Sequence, residues 1–260
     1  MILKTSNLVV GYKNTKATQI ILSDVNLSIE SGKMIAIIGV NGSGKSTLLR
    51  SITGVQTPIS GEVLINETNI NQLHDKVLAS KISLVLTNQH ISKNLSVFEL
   101  ISLGRHPYTN WLGINNASDK KIILKAIEEV DLQSLKHKKC NELSDGQLQK
   151  VLLARAIAQN TPLIVLDEPT THLDMYHKAQ VLHLLKEVCV KTNKTVIFAS
   201  HEINLAIQLC DQIILINQTK AVQGSPSALI KNGSFNELFP KDLIEFDPLS
   251  KSFRVANKRN

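Results

Sequence analysis

Gly39-Val40-Asn41-Gly42-Ser43-Gly44-Lys45-Ser46 decides how the rest of this chain is read. It fits the spacing G-x-x-x-x-G-K-[ST], in which glycines let the backbone curl until successive N–H groups point at phosphate oxygens. The apolar run Met34 to Ile38 before it reads as a buried strand, and Lys45 to Thr53 after it as a helix. A helix amino terminus facing an anion adds its dipole to the loop's N–H groups. Lys45 then brings a cation to the outer phosphates, and Ser46 a hydroxyl suited to Mg²⁺.

Downstream, Leu163-Ile164-Val165-Leu166-Asp167-Glu168 is a second apolar run, and it ends in two acids. Carboxylates at the end of a core strand are costly unless a cation meets them. Asp167 suits the Mg²⁺ shell, and Glu168 is placed to polarise water as a general base. Gln89 follows the strand Ile82 to Leu86 and is a candidate for Mg²⁺ ligation and water orientation. His201 follows Val196 to Ser200, where it can donate to a terminal phosphate. Tyr12, after Gly11, offers a ring to a base; such stacking is worth about 1–3 kcal/mol.

The first 30 residues read as short antiparallel strands broken at Gly11 and at Ser31-Gly32. From Ser96 to Gln159 the period becomes helical, with Ile122, Ile123, Ala126, Ile127 and Val130 on one apolar face. Strand and helix then alternate to Ile216, which implies a parallel sheet with right-handed crossovers. The fold class expected is α/β: a nucleotide-binding core with an amino-terminal antiparallel β portion and an inserted helical subdomain. The boundaries are 1–88 and 161–230 for the core, 89–160 for the helical subdomain and 231–260 for a carboxy-terminal extension.

Bulk composition narrows the classes of partner. Lys and Arg outnumber Asp and Glu 29 to 22, for a formal charge of +7, yet only 4% of residues are aromatic. No basic patch is interleaved with stacking rings, so nucleic acid is not expected as a partner. Lys136-His137-Lys138-Lys139 reads as a solvated face. The three cysteines have no metal or redox spacing and suit a reducing compartment. No apolar run approaches the ~20 residues of a membrane span, so service to a membrane requires a partner.

Between the loop and the two acids lies Leu143-Ser144-Asp145-Gly146-Gln147. Taken in order, Tyr12, Gly39 to Thr47, Gln89, Leu143 to Gln147, Leu163 to Glu168, Leu173-Asp174 and His201 resemble the A-loop, Walker A, Q-loop, signature, Walker B, D-loop and H-loop of ABC ATPases. The resemblance covers about residues 1 to 230. It implies ATP and Mg²⁺ as cofactors and a head-to-tail homodimer sandwiching two ATP molecules. One subunit's Gly39, Asn41, Gly42, Ser43, Gly44, Lys45, Ser46 and Thr47 hold each nucleotide; the partner's Ser144, Gly146 and Gln147 close over it, with Asp174 running along the boundary.

Two positions depart from the pattern. Val40 stands where many members carry proline, with its side chain expected to face away from the phosphates. Asp145 replaces a glycine, and an N-cap role for it would reconcile a carboxylate with a helix start at Gly146.

Leu103-Gly104-Arg105-His106-Pro107-Tyr108, with the tail Phe235 to Phe239 and Ser252 to Val255, resembles ATPases serving iron-siderophore, haem and vitamin B12 uptake. That resemblance implies a bacterial importer subunit on the cytoplasmic face of the inner membrane. It would dock a permease through a groove near Gln89 to Trp111 and act indirectly with a substrate-binding protein. An importer or exporter of another substrate is the alternative. A soluble ABC protein acting on DNA or ribosomes is disfavoured, since the interval from Gln89 to Ser144 is short and has no heptads. Intact Lys45, Asp167 and Glu168 disfavour a catalytically dead scaffold.

Overall fold

The computed structural model describes every residue except 14, 16, 88–90, 93, 112, 241 and 257–260. β1 (Leu3–Lys13) pairs antiparallel with β2 (Thr18–Val25) and β3 (Ser28–Ile29). The expected break at Gly11 does not occur. β1 runs through it with a register shift, because the β2 backbone passes so close that a Cβ on Gly11 would lie 2.0 Å from the Gln19 carbonyl oxygen. That glycine permits a close approach of two backbones; it does not end a strand.

β4 (Met34–Ile38) leads into the glycine loop and α1 (Lys45–Ile52). β5 (Ser60–Ile65) returns to pair with β1, and β6 (Thr68–Asn69) closes the amino-terminal sheet in the order β2-β1-β5-β6. α2 (Asp75–Lys81) and β7 (Ile82–Val85) lead to the helical stretch: α3 (Val97–Ser102), a 3₁₀ turn over Leu103–Tyr108, α4 (Ala117–Glu129) and α5 (Asp145–Ala158). β8 (Leu163–Asp167), α6 (Met175–Thr192), β9 (Thr195–Ser200), α7 (Ile203–Leu209), β10 (Gln212–Asn217) and β11 (Lys220–Gly224) then alternate. α8 (Pro226–Lys231) precedes a terminal hairpin of β12 (Ile244–Asp247) and β13 (Ser252–Val255). Phe235 stacks on Phe246 there at 4.9 Å between ring centroids, and Phe253 meets both edge-on.

The central sheet has the order β11-β10-β4-β9-β8-β7, parallel except for the edge pairing of β10 with β11. Every residue of β4, β8 and β9 is buried, and side-chain alternation divides them between two cores. Ile35, Ile37, Val165, Ile197 and Ile214 pack with α1 and the amino-terminal sheet. Ala36, Ile38, Ile164, Leu166, Phe198 and Leu215 pack with α3 to α7. Continuous apolar strands are what a sheet covered on both faces requires. Each fully buried Val, Ile, Leu or Phe contributes about 1.5–3 kcal/mol.

Parallel register brings the strand carboxyl ends to one rim. Ile38 pairs with Ser200, Asp167 with Ala199 and Val85 with Leu166. The chain segments that leave β4, β7, β8 and β9 therefore emerge side by side, where open α/β sheets bind ligands.

The Leu103–Tyr108 turn braces the helical stretch. A Cβ on Gly104 would lie 2.3 Å from the Arg155 carbonyl oxygen, so only glycine lets the turn sit against α5. Arg105 is buried. Its Nε donates to Asp119 at 2.9 Å, its Nη1 donates to the Ala158 carbonyl at 3.0 Å, and its guanidinium lies 4.0 Å from the Tyr108 ring centroid. Pro107 lies inside this turn and does not end a helix.

All three cysteines are buried; desolvation pushes Cys189 up to about 11 and Cys210 higher, so both stay as thiols. Among the described residues no helix is long and apolar enough to cross a membrane.

Candidate active site

The glycine loop holds its shape through residues that only glycine tolerates. Gly42 and Gly44 have φ of 78° and 98°, and a Cβ on Gly39 would lie 2.6 Å from Ser43 Oγ. Lys45 is buried at the start of α1, where its Nζ donates to the carbonyls of Gly39 (3.0 Å) and Val40 (3.1 Å). Burial lowers its pKa, and the nearby carboxylates of Glu168 and Asp167 act in the opposite direction. Ser43 Oγ is buried with no hydrogen-bond partner among the described residues. An orphaned hydroxyl inside a cradle of N–H groups is what an anionic ligand would satisfy. Val40 is exposed.

This loop lines a cleft of about 470 Å³ together with Tyr12, Ile21 and Glu168. Tyr12 is 47% exposed, and its hydroxyl lies 3.2 Å from Thr47 Oγ1. Opposite the loop, both oxygens of the buried Asp167 are committed to hydroxyls: Ser46 Oγ donates to Oδ1 at 2.9 Å and Thr87 Oγ1 to Oδ2 at 2.8 Å. Thr87 is absent from the sequence-based set. The register of β7 beside β8 is what brings it to Asp167, and a lone threonine past a strand carries no pattern that reveals this.

Glu168 adopts φ of 50°, a left-handed conformation costly for a side chain with a Cβ. Its N–H donates to the Ala199 carbonyl, and Thr171 Oγ1 donates to its Oε2 at 3.0 Å. His201 Nδ1 lies 3.8 Å from that same Oε2. The structure thus brings Lys45, Ser46, Asp167, Glu168 and His201 together on one rim. Gln89 lies outside the described residues.

The signature pentapeptide occupies a different place. Ser144, Gly146 and Gln147 line a second cleft of about 430 Å³ with His172, Leu173, Asp174 and His177, and the two clefts share no residue. Ser144 is the N-cap of α5: its Oγ accepts from the Gln147 N–H while Gln147 Oε1 accepts from the Ser144 N–H. This corrects the expectation for Asp145, which is the first helical residue, and α5 begins there and not at Gly146. A carboxylate in the first turn complements the helix dipole. Asp174 caps α6 in the same manner, accepting from the His177 N–H at 2.9 Å. That bond and the His177 ring hold its carboxyl below the usual range.

With this geometry in place, comparison with known proteins gives a consistent answer. Residues 22–171 match the ABC transporter family model. An uncharacterized ABC transporter ATP-binding protein of Methanocaldococcus jannaschii is 36% identical over 98% of this chain and 87% of its own length. The iron(3+)-hydroxamate import ATP-binding protein of Bacillus subtilis is 32% identical, covering 94% and 86%. Among solved structures, a transporter assigned to the metal-chelate ABC type, in an inward-facing conformation, superposes with a TM-score of 0.80 at 27% identity, covering 98% of this chain and 95% of that one. A dimeric post-hydrolysis ATP-binding cassette bound to ADP and Pi gives 0.75 at 31% identity, covering 86% and 99%. The chain is a member of the ABC transporter ATP-binding family.

Proposed function

We propose that this ATPase energises import of an iron chelate, haem or corrinoid through a membrane permease, working as a head-to-tail homodimer. The observation that carries the hydrolytic assignment is that Lys45, Ser46 and Glu168 line one cleft, with Asp167 hydrogen-bonded to the Ser46 hydroxyl at 2.9 Å. Glu168 takes a proton from the water that attacks the terminal phosphorus of ATP, and ADP and phosphate leave. His201 orients that phosphate, Gln89 the water, and Tyr12 stacks on the adenine.

The donor set fits Mg²⁺, because Ser46 Oγ and Asp167 Oδ1 converge at 2.9 Å as hard oxygen ligands. Mg²⁺ bound there neutralises charge on the phosphate oxygens. Thr87→Val should leave Asp167 Oδ2 without its donor and raise half-saturating Mg²⁺ for ATP hydrolysis about fivefold, the equivalent of about 1 kcal/mol. A Mg²⁺ titration of the ATPase rate measures it.

Separation of the two clefts supports a shared site in which Ser144, Gly146, Gln147 and Asp174 serve the partner's nucleotide. Mixing Lys45→Ala with Ser144→Arg subunits tests this. Heterodimers should regain one composite site, giving ATPase activity well above either variant alone. Activity no higher than the sum of the separate variants rejects the shared site.

We assign 1–88 and 161–230 to the nucleotide-binding core, 89–160 to the helical subdomain and 231–260 to an extension. Exposed apolar side chains at Leu103, Trp111 and Ile114, the tryptophan 92% exposed, support permease docking on the helical part. The hydroxamate-import relative and the metal-chelate-type neighbour favour chelate import. On this reading the subunit works at the cytoplasmic membrane face, serving a permease that a substrate-binding protein loads.

A further inference from the structure

His201 is held by a chain of charged groups that the hydrolytic reading does not use. Its Nε2 lies 3.1 Å from Glu202 Oε1, and the same oxygen accepts from Lys178 Nζ. The Glu202 and Lys178 side chains are each only 20% exposed, so the pair is a largely desolvated one. The Glu202 backbone is fixed on both sides: its N–H donates to Ser200 Oγ at 3.0 Å and its carbonyl accepts from the Ala206 N–H at 3.0 Å. Lys178 sits in the first turn of α6, with its N–H bonded to the Asp174 carbonyl at 2.9 Å. Asp174 lines the signature cleft, and His201 lies beside Glu168 on the rim of the other cleft. Asp174, Lys178, Glu202 and His201 thus form a continuous link between the two clefts.

We infer that Glu202 is a positioning residue for His201, and that Lys178 fixes Glu202 to the end of α6 that Asp174 caps. A carboxylate accepting from Nε2 fixes the rotation of the ring and turns Nδ1 toward Glu168 and the rim of the cleft. Any displacement of the α6 start then reaches the imidazole through one ion pair. The inference rests on the reading that His201 acts in hydrolysis.

The test uses the full chain with both partners replaced together, Lys178→Met/Glu202→Met, since removing an ion pair as a unit is far less destabilising than stranding one charge. The expected result is a kcat about tenfold lower with KM for ATP within about twofold, because misorientation affects the reacting geometry more than binding. Nitrogen NMR of labelled histidine, with the His201 signals identified by their loss in His201→Ala, should show a single set of ring-nitrogen signals in the parent protein and mixed tautomers in the double variant. Lys178→Arg should retain both the rate and the spectrum. Glu202→Gln supplies the same readout should the double variant fold poorly, since an amide can face Nε2 with either end. Unchanged kcat, or an unchanged His201 tautomer in these variants, overturns the inference. Should His201→Ala itself keep full turnover, the hydrolytic reading of His201 fails, and the tautomer spectrum alone decides the positioning.

Discussion

Glu168→Gln is expected to bind ATP normally while losing turnover by about 10²–10⁴, the range ascribed to a positioned general base. The substitution keeps the shape of the side chain. It also keeps an acceptor for the Thr171 hydroxyl, whose bond to Oε2 orients this residue. What disappears is the ability to take a proton from attacking water. In the proposed homodimer, closure driven by ATP binding would no longer be reversed by hydrolysis, so the variant should accumulate as an ATP-bound pair. Sedimentation with and without ATP, alongside phosphate release, reads both effects. Hydrolysis at the parental rate would show that the base lies elsewhere.

The second large effect concerns stability. Arg105→Ala should lower unfolding free energy by about 3–5 kcal/mol, because it leaves the buried Asp119 carboxylate without its cation. The two side chains are 7% and 4% exposed, so water cannot replace the lost partner. The Ala158 and Gln159 carbonyls at the end of α5 lose their donor in the same step. For a chain of this size the thermal midpoint should fall by about 10 °C. Arg105→Lys should recover little, since an ammonium cannot span the carboxylate, the two carbonyls and the Tyr108 ring as a planar fork does. A midpoint within 2 °C of the parent, on a thermal scan (a shift below about 1 kcal/mol), would contradict this account.

Arg105 also shows how a motif is legible in sequence while its work is not. Leu103 to Tyr108 marks a resemblance to chelate-import ATPases, yet the arginine in it faces inward and ties three helical elements together. The glycine loop and the Asp167-Glu168 pair were readable because their chemistry is encoded in local backbone geometry: positive-φ glycines, an apolar strand and a helix start. Thr87 was not readable, since its only qualification is the register of β7 beside β8. Gly11 misled because close approach between strands and strand termination both favour glycine. Asp145 misled because Ser144, one residue earlier, is an equally good cap and forms the reciprocal bond with Gln147. Lys178 and Glu202 lie in different elements, and no spacing rule links them.

The position of β4 between β9 and β10 carries a consequence for synthesis of the chain. β4 ends at Ile38, whereas β9 begins at Thr195 and β10 at Gln212. At about 5–20 residues per second, a ribosome needs roughly 10–30 s to supply the first neighbour after β4 has been made. For that interval a strand with five of five apolar residues has no edge to join. A nascent chain halted between α5 and β8 should therefore recruit holdase chaperones, and release them only once β10 has left the exit tunnel.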